Sequence, residues 1–224
     1  MELTTTMALR LAYSSVLVLG FTLTASARAC ANPQEHRAPT RPYSMEEYNS
    51  QAAALHTSDP REKIVLLNAF VAKYPDSPLL IYTYPQYCEA YQKLQDFSKV
   101  IEFAEKVLYS SDTLKLDVNT RLESAVAWAW AYNNLRSNDT ALAAKGREVT
   151  RMGLELLDAM KEENVLRRNF KEESRKAKLY LNVTAAAAAL VMKDEQAASA
   201  SLSAVAGLSA FDPSALRPIG QPLK

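Results

Sequence analysis

The side chains that could do covalent or metal chemistry are few in this sequence. Apart from an N-terminal Cys30, there is one cysteine, Cys88, and two histidines, His36 and His56. A Cys–His pair is the minimum for a thiolate nucleophile with its base, so Cys88 with His56 is the one pair to weigh. Cys88, however, falls on the apolar side of a helical period, where a lone cysteine behaves as a small buried hydrophobe. No His lies at a metal-type spacing from another His, a Cys or clustered carboxylates. Glu46-Glu47, Glu162-Glu163 and Glu172-Glu173 are sequence neighbours, and adjacent helical residues point in different directions, so they read as solvated faces. Five glycines in the chain leave no phosphate-cradling loop. The sequons at Asn138 and Asn182 carry no weight, and the run 161–178 mixes basic with acidic residues, as an exposed helix surface does. The expectation is a protein that is no enzyme, with no cofactor and no metal.

Work without reactive groups is done by shape, and the elements that build the shape are legible. Residues 1–29 have the three-part layout of a secretory signal: Arg10, an apolar core over 11–25, then small residues to Ala29. Arg10 and Arg28 bracket 17 residues, several of them Ser or Thr, against the ~20 mostly apolar residues of a membrane span. Ala27-Arg28-Ala29 suits cleavage before Cys30, and Ala29-Cys30-Ala31 suits cleavage after Ala31. Cys30 is also a candidate lipidation residue, which would tie the chain to a membrane. The chain has 26 basic and 25 acidic residues; losing Arg10, Arg28 and Glu2 with the leader brings the formal charge to zero. That balance lacks the basic footprint of nucleic-acid binding.

Residues 30–44 form a Pro-rich tether, 45–210 a helical domain, and 211–224, with three prolines, an extended tail. The helical stretch is rich in Ala, Leu, Glu and Lys and lacks alternating β-branched runs. Breakers divide it into eight helices. The first spans 45–56 behind Ser44, and the second opens at Asp59-Pro60. The third opens at Ser77-Pro78, with a kink or late start at Pro85. The fourth begins at Phe97, and the others cover about 114–135, 139–162, 166–192 and 194–208. Gly146 and Gly153 lie on the apolar seam of the sixth helix with Leu142, Val149, Leu156 and Met160. Each costs ~1 kcal/mol against Ala in a helix interior, so both mark a close helix approach.

The stretch 73–108 resembles a tetratricopeptide repeat (TPR), a helix–turn–helix unit of 34 residues. Tyr84, Tyr87, Cys88 and Tyr91 occupy the signature positions of the first helix, and Val100, Ala104 and Val107 those of the second. Leu94-Gln95-Asp96-Phe97 stands for the turn, and KYPDSP (73–78) for the connector. Elsewhere the register loosens: Lys63 replaces a small residue, and the turn aspartates 59, 96, 139 and 194 are 37, 43 and 55 residues apart. The resemblance implies an all-α fold, a right-handed α-solenoid of about four TPR-like helix–turn–helix pairs. It is similar also to envelope members of that family, such as the lipoprotein of the outer-membrane β-barrel assembly machinery. It therefore implies an exported, non-catalytic scaffold, periplasmic or secreted, that binds a protein or peptide. The alternatives are a lipid-anchored outer-membrane assembly factor and, behind it, an unrecognised envelope hydrolase.

Carried across residue by residue, the inner, partner-binding positions are Tyr82, Glu89, Gln92 and Lys93 in the second unit. The third unit gives Glu123, Trp130, Asn133 and Asn134, and the fourth gives Tyr180. A membrane enters only through a lipidated Cys30 or an uncleaved leader. Export predicts a mature mass equal to the unmodified chain starting at Cys30 or Asn32. Acyl mass on Cys30 would select the anchored form, and a full-length mass would defeat the leader.

Overall fold

A computed structural model describes residues 42–163 and 170–208, with side chains for 42–160 and 172–208. The leader, Cys30, residues 30–41 of the tether and the tail 211–224 lie outside the described residues, as do the side chains of Glu162 and Glu163. Among the described residues the protein is all-α, with eight helices and no strand. They are α1 Met45–His56, α2 Pro60–Lys73, α3 Leu80–Leu94, α4 Phe97–Leu108, α5 Val118–Leu135, α6 Thr140–Glu163, α7 Phe170–Val191 and α8 Glu195–Gly207.

Side chains that satisfy the free amides of the first turn fix most of the helix starts. Ser44 and Glu47 form a reciprocal capping box ahead of α1. Asp59, Asp96, Asp117 and Asp194 each accept from the amide three residues on, at 2.8, 3.1, 3.0 and 3.0 Å. Asp139 accepts from Ala141 N at 2.8 Å. Asp117 explains why α5 begins at Val118 and not near 114: residues 113–115 form a separate 3₁₀ turn. α3 starts at Leu80 and runs through Pro85 with a lead-in turn, Leu80 N to Ser77 O, and no side-chain cap.

Two hairpin turns share one geometry. Gln95 and Lys193 both adopt the left-handed conformation, at φ 58° and 59°. After each, the aspartate amide reaches back five residues, Asp96 N to Tyr91 O at 3.0 Å and Asp194 N to Ala189 O at 2.9 Å. This is the Schellman closure, and here the residue that closes one helix is followed at once by the cap of the next. Arg136, at φ 49°, ends α5 in the same region of backbone space.

Each helix packs on its neighbours in the chain. In addition α5 packs on α3 and α7, and helices more than two places apart make at most marginal contact among the described residues. α5 is the centre. Every residue from Ser124 to Tyr132 is buried, so its apolar character has no single side. Around it Tyr87, Tyr91 and Phe103 stack between α3 and α4, with Tyr87 and Phe103 centroids 4.1 Å apart. Trp128 of α5 is fully buried; its indole N–H donates to Glu105 Oε1 at 3.3 Å, and Lys145 Nζ donates to Glu105 Oε2 at 2.7 Å. One carboxylate thus joins α4, α5 and α6. Thr184 joins α5 to α7: its hydroxyl accepts from Asn133 Nδ2 at 2.9 Å and lies 2.9 Å from Tyr180 O and 3.3 Å from Ala129 O.

The two seam glycines differ. A Cβ on Gly153 would meet Leu181 Cδ2 at 2.8 Å and Ala125 Cβ at 3.3 Å, whereas one on Gly146 would meet Trp128 and Ala188 at 3.4 Å. Leu181 is fully buried and has little room to yield. Gly146→Ala should therefore keep or gain up to ~1 kcal/mol from helix propensity. Gly153→Ala should lose about 1–3 kcal/mol through overpacking. Thermal melts of the two variants, read against the parent, check the ordering.

Candidate partner-binding face

α3 carries a polar stripe that is exposed at its two ends, Tyr82 and Lys93, and half-buried between them at Gln86 and Glu89. Tyr82, Gln86, Glu89 and Lys93 follow at i, i+4, i+7 and i+11, which places them on one side of the helix. Its other sides carry Ile81, Tyr87, Cys88 and Ala90 into the core. Tyr82 is 40 % exposed, its hydroxyl donating weakly to Lys115 O at 3.4 Å. Gln92 is half-buried on the flank of the stripe. Glu89 is held from two directions: Lys63 Nζ lies 3.1 Å from one carboxylate oxygen and Lys93 Nζ 2.6 Å from the other. Lys63 comes from α2, is only 5 % exposed and also donates to Gln86 Oε1 at 3.3 Å. Burial raises the Glu89 pKa, but the hydrogen bonds from Lys93 and Lys63 outweigh it and hold the carboxyl below the usual glutamate value.

The charged centre of this face therefore includes Lys63 and Gln86, which the positional reading left out. Gln86 was accessible by spacing, as the missing step between Tyr82 and Glu89. Lys63 was visible only as a large residue where a small one was expected. Its ammonium reaches past the helix contact to Gln86 and Glu89 of the α3 stripe, so the long side chain buries its stem and still finds partners for its charge.

On α5 and α7 the expected face is largely closed. Trp130 is 5 % exposed and packs edge-on against Phe97 at 5.1 Å; Tyr180 is 3 % exposed. Both belong to the interior and are withdrawn as partner-binding residues, because α5 packs directly on α7 and on α3 and leaves no open channel over these rings. Asn133 is half-buried and donates to Thr184, so its amide serves the helix contact. Asn134 is exposed but turns its amide N–H back to Trp130 O at 2.8 Å. Glu123 is exposed. The exposed part of the expected positions is thus the α3 stripe, together with Glu123 and Asn134 on α5.

Among the described residues, Cys88 and His56 are not placed as a nucleophile and its base. Cys88 is buried, its Sγ 3.9 Å from Val100 O, and burial pushes its thiol pKa far up, the opposite of an activated nucleophile. His56 is exposed in the last turn of α1. Glu46 pairs with Lys73 and Glu47 caps Ser44, so those adjacent carboxylates serve different partners. Among the described residues no group of three His, Cys, Asp or Glu is placed to hold a metal, and no helix is long and apolar enough to cross a membrane. An open groove of about 470 Å³ is lined by Ala144, Arg147, Glu148, Arg151 and Met192. Its arginines already pair with Asp194 at 3.1 Å and Glu155 at 2.7 Å. Beside it, burial and then Glu148 push the Tyr109 pKa up to about 12. Comparisons with protein-family models, curated proteins and solved structures give no match to this chain.

The Lys63–Glu89 pair yields a mutational contrast. Glu89→Gln strands a buried ammonium and should lose about 1–2 kcal/mol, below the range of a fully buried pair because Glu89 is half exposed. Lys63→Met removes the charge and fills the same space, and should be neutral or stabilising. Since the folded carboxyl binds its proton less readily than the unfolded one, the contribution is complete above the unfolded glutamate pKa. It is lost as pH falls through the depressed folded value. Denaturant melts of both variants at neutral pH and near pH 3 should show the Glu89→Gln deficit shrinking in acid.

Proposed function

We propose that this protein is an exported, non-catalytic helical-repeat scaffold of TPR type that binds an extended peptide or a partner helix in the bacterial envelope. The observation that carries the proposal is the α3 stripe: Tyr82, Gln86, Glu89 and Lys93 aligned on one side of a helix that turns Ile81, Tyr87, Cys88 and Ala90 into the core. An amphipathic tyrosine supplies contact area at little entropic cost, and Gln and Lys can pair with a partner's backbone or carboxylates. Two further features support the repeat reading. Among the described residues, extensive helix contacts run between elements one or two places apart, as in stacked helix pairs. The α3–α4 and α7–α8 turns also close in the same way, with a left-handed residue, Gln95 or Lys193, followed by an aspartate cap. The leader-like N-terminus supports export.

A photo-crosslinker at Gln92 in cells should yield protein adducts of defined mass. Tyr82→Ala combined with Lys93→Ala should cut their yield about tenfold, the effect of losing one good contact, with the melting temperature nearly unchanged. Adducts that survive both substitutions would remove α3 from the binding face. Turnover of an envelope substrate that disappears with Cys88→Ser would replace the scaffold with an enzyme.

A further inference from the structure

The first helix presents an apolar edge beside the α3 stripe, and two contacts fix how it is rotated. Glu46 pairs with Lys73 at the end of α2 at 2.6 Å, and Gln51 Nε2 donates to Leu79 O at 3.1 Å on the lead-in to α3. Tyr82 N donates to the same carbonyl at 3.1 Å, so one oxygen joins the middle of α1 to the first turn of α3. At about 100° of turn per residue, Leu55, Tyr48 and Ala52 come next after Gln51 on the side away from Glu46. No polar residue falls among them, since Asn49 and His56 lie further round. Tyr48 is 46 % exposed and Leu55 39 %, and Tyr43 stacks on the Tyr48 ring with centroids 6.2 Å apart. α1 packs on α2 and at most marginally on α3. Tyr48 and Leu55, one turn to either side of Gln51, therefore border the α1–α3 junction together with Tyr82.

We propose that the partner-binding face extends from α3 onto this edge of α1 and takes an amphipathic helix of another protein, whose apolar side chains pack on Tyr48, Leu55 and Tyr82. The inference rests on the scaffold reading above and names the form of its partner. Spacing selects a helix over an extended peptide. Tyr48 and Leu55 are seven residues apart in one helix, ~10.5 Å along its axis. Residues i and i+7 of a partner helix share a face at that same distance, so two of its apolar side chains meet both anchors. An extended chain repeats its side chains on one face every ~6.7 Å, and at ~10.5 Å it shows the opposite face. The chemistry agrees, because the edge carries no charge and offers a tyrosine ring already held by a second one. A second copy pairing through the α1 edges is the weaker occupant. One side of this twelve-residue helix, ~18 Å long and about 10 Å wide, falls far short of the ~800 Å² per partner of a stable dimer.

The test uses the full chain in cells, with a benzophenone amino acid in place of Tyr48, Leu55 or Gln92 in separate variants. Adducts of one mass from all three are expected. Peptide mass spectrometry should place the partner residues reached from Tyr48 and Leu55 about seven apart. A spacing of about three would make the partner extended. An adduct of twice the chain's mass would make it a second copy, and internal crosslinks alone would assign the edge to this chain; each of these overturns the proposal. Adducts from Gln92 with none from Tyr48 or Leu55 would overturn it and leave the scaffold reading standing, whereas silence at all three positions would remove both. In a second measurement, Tyr48→Ser with Leu55→Ser should cut the Gln92 adduct about tenfold at a melting temperature close to the parent's. An undiminished yield would also overturn it.

Discussion

The close approach of α6 and α7 around α5 is the constraint on which the described domain depends. α5 has no polar side to spare, since nine consecutive residues of it are buried, and so it must be enclosed on every side. Enclosure needs neighbours that come near. Gly153 lets α6 approach until Leu181 and Ala125 fill the space a side chain would take, and Gly146 leaves room for the indole of Trp128. Alanines at 125, 127, 129 and 131 thin α5 itself, so that Trp128 and Trp130 can spread into the contacts made beside them. Small and large residues alternate across the same interface, and native packing density follows from that fit.

Polar groups in this interior act as register marks. Glu105 sits where α4, α5 and α6 meet and accepts from both Trp128 and Lys145, while Thr184 and Asn133 tie α7 to one height on α5. A slip of either helix by one residue would leave a buried donor without an acceptor, a larger penalty than the net gain of the bond. Lys63 does the same between α2 and α3, with its ammonium set between Gln86 and Glu89. Such contacts discriminate among alternative packings that apolar burial alone would allow.

The same packing decides where recognition is feasible. Because α5 is enclosed, the rings of Trp130 and Tyr180 are spent on the interior, and the accessible part of the expected face contracts to α3. A surface of one tyrosine, two amides and a charge cluster already balanced internally suits a partner read by shape and backbone hydrogen bonds. Lys63, buried beneath Glu89, holds the centre of the stripe in place, while Tyr82 and Lys93 stand exposed at its ends.

Local signals alone carried the order of the helices and most of their ends. Ser44, Asp59, Asp96, Asp139 and Asp194 could be read as helix starts because a capping side chain acts within its own turn, whatever surrounds it. The glycine seam of α6 was legible for a similar reason, since a residue costly to a helix must be compensated by a neighbour. Position along α5 and the inner or outer fate of its residues were not legible. Trp130, Asn133 and Tyr180 fall at positions that the resemblance alone implied would face a partner, and the packing of α5 on α3, α4 and α7 turns them inward. Burial is a property of what lies across an interface, and a one-dimensional pattern reports the helix's own periodicity but not the neighbour that covers it.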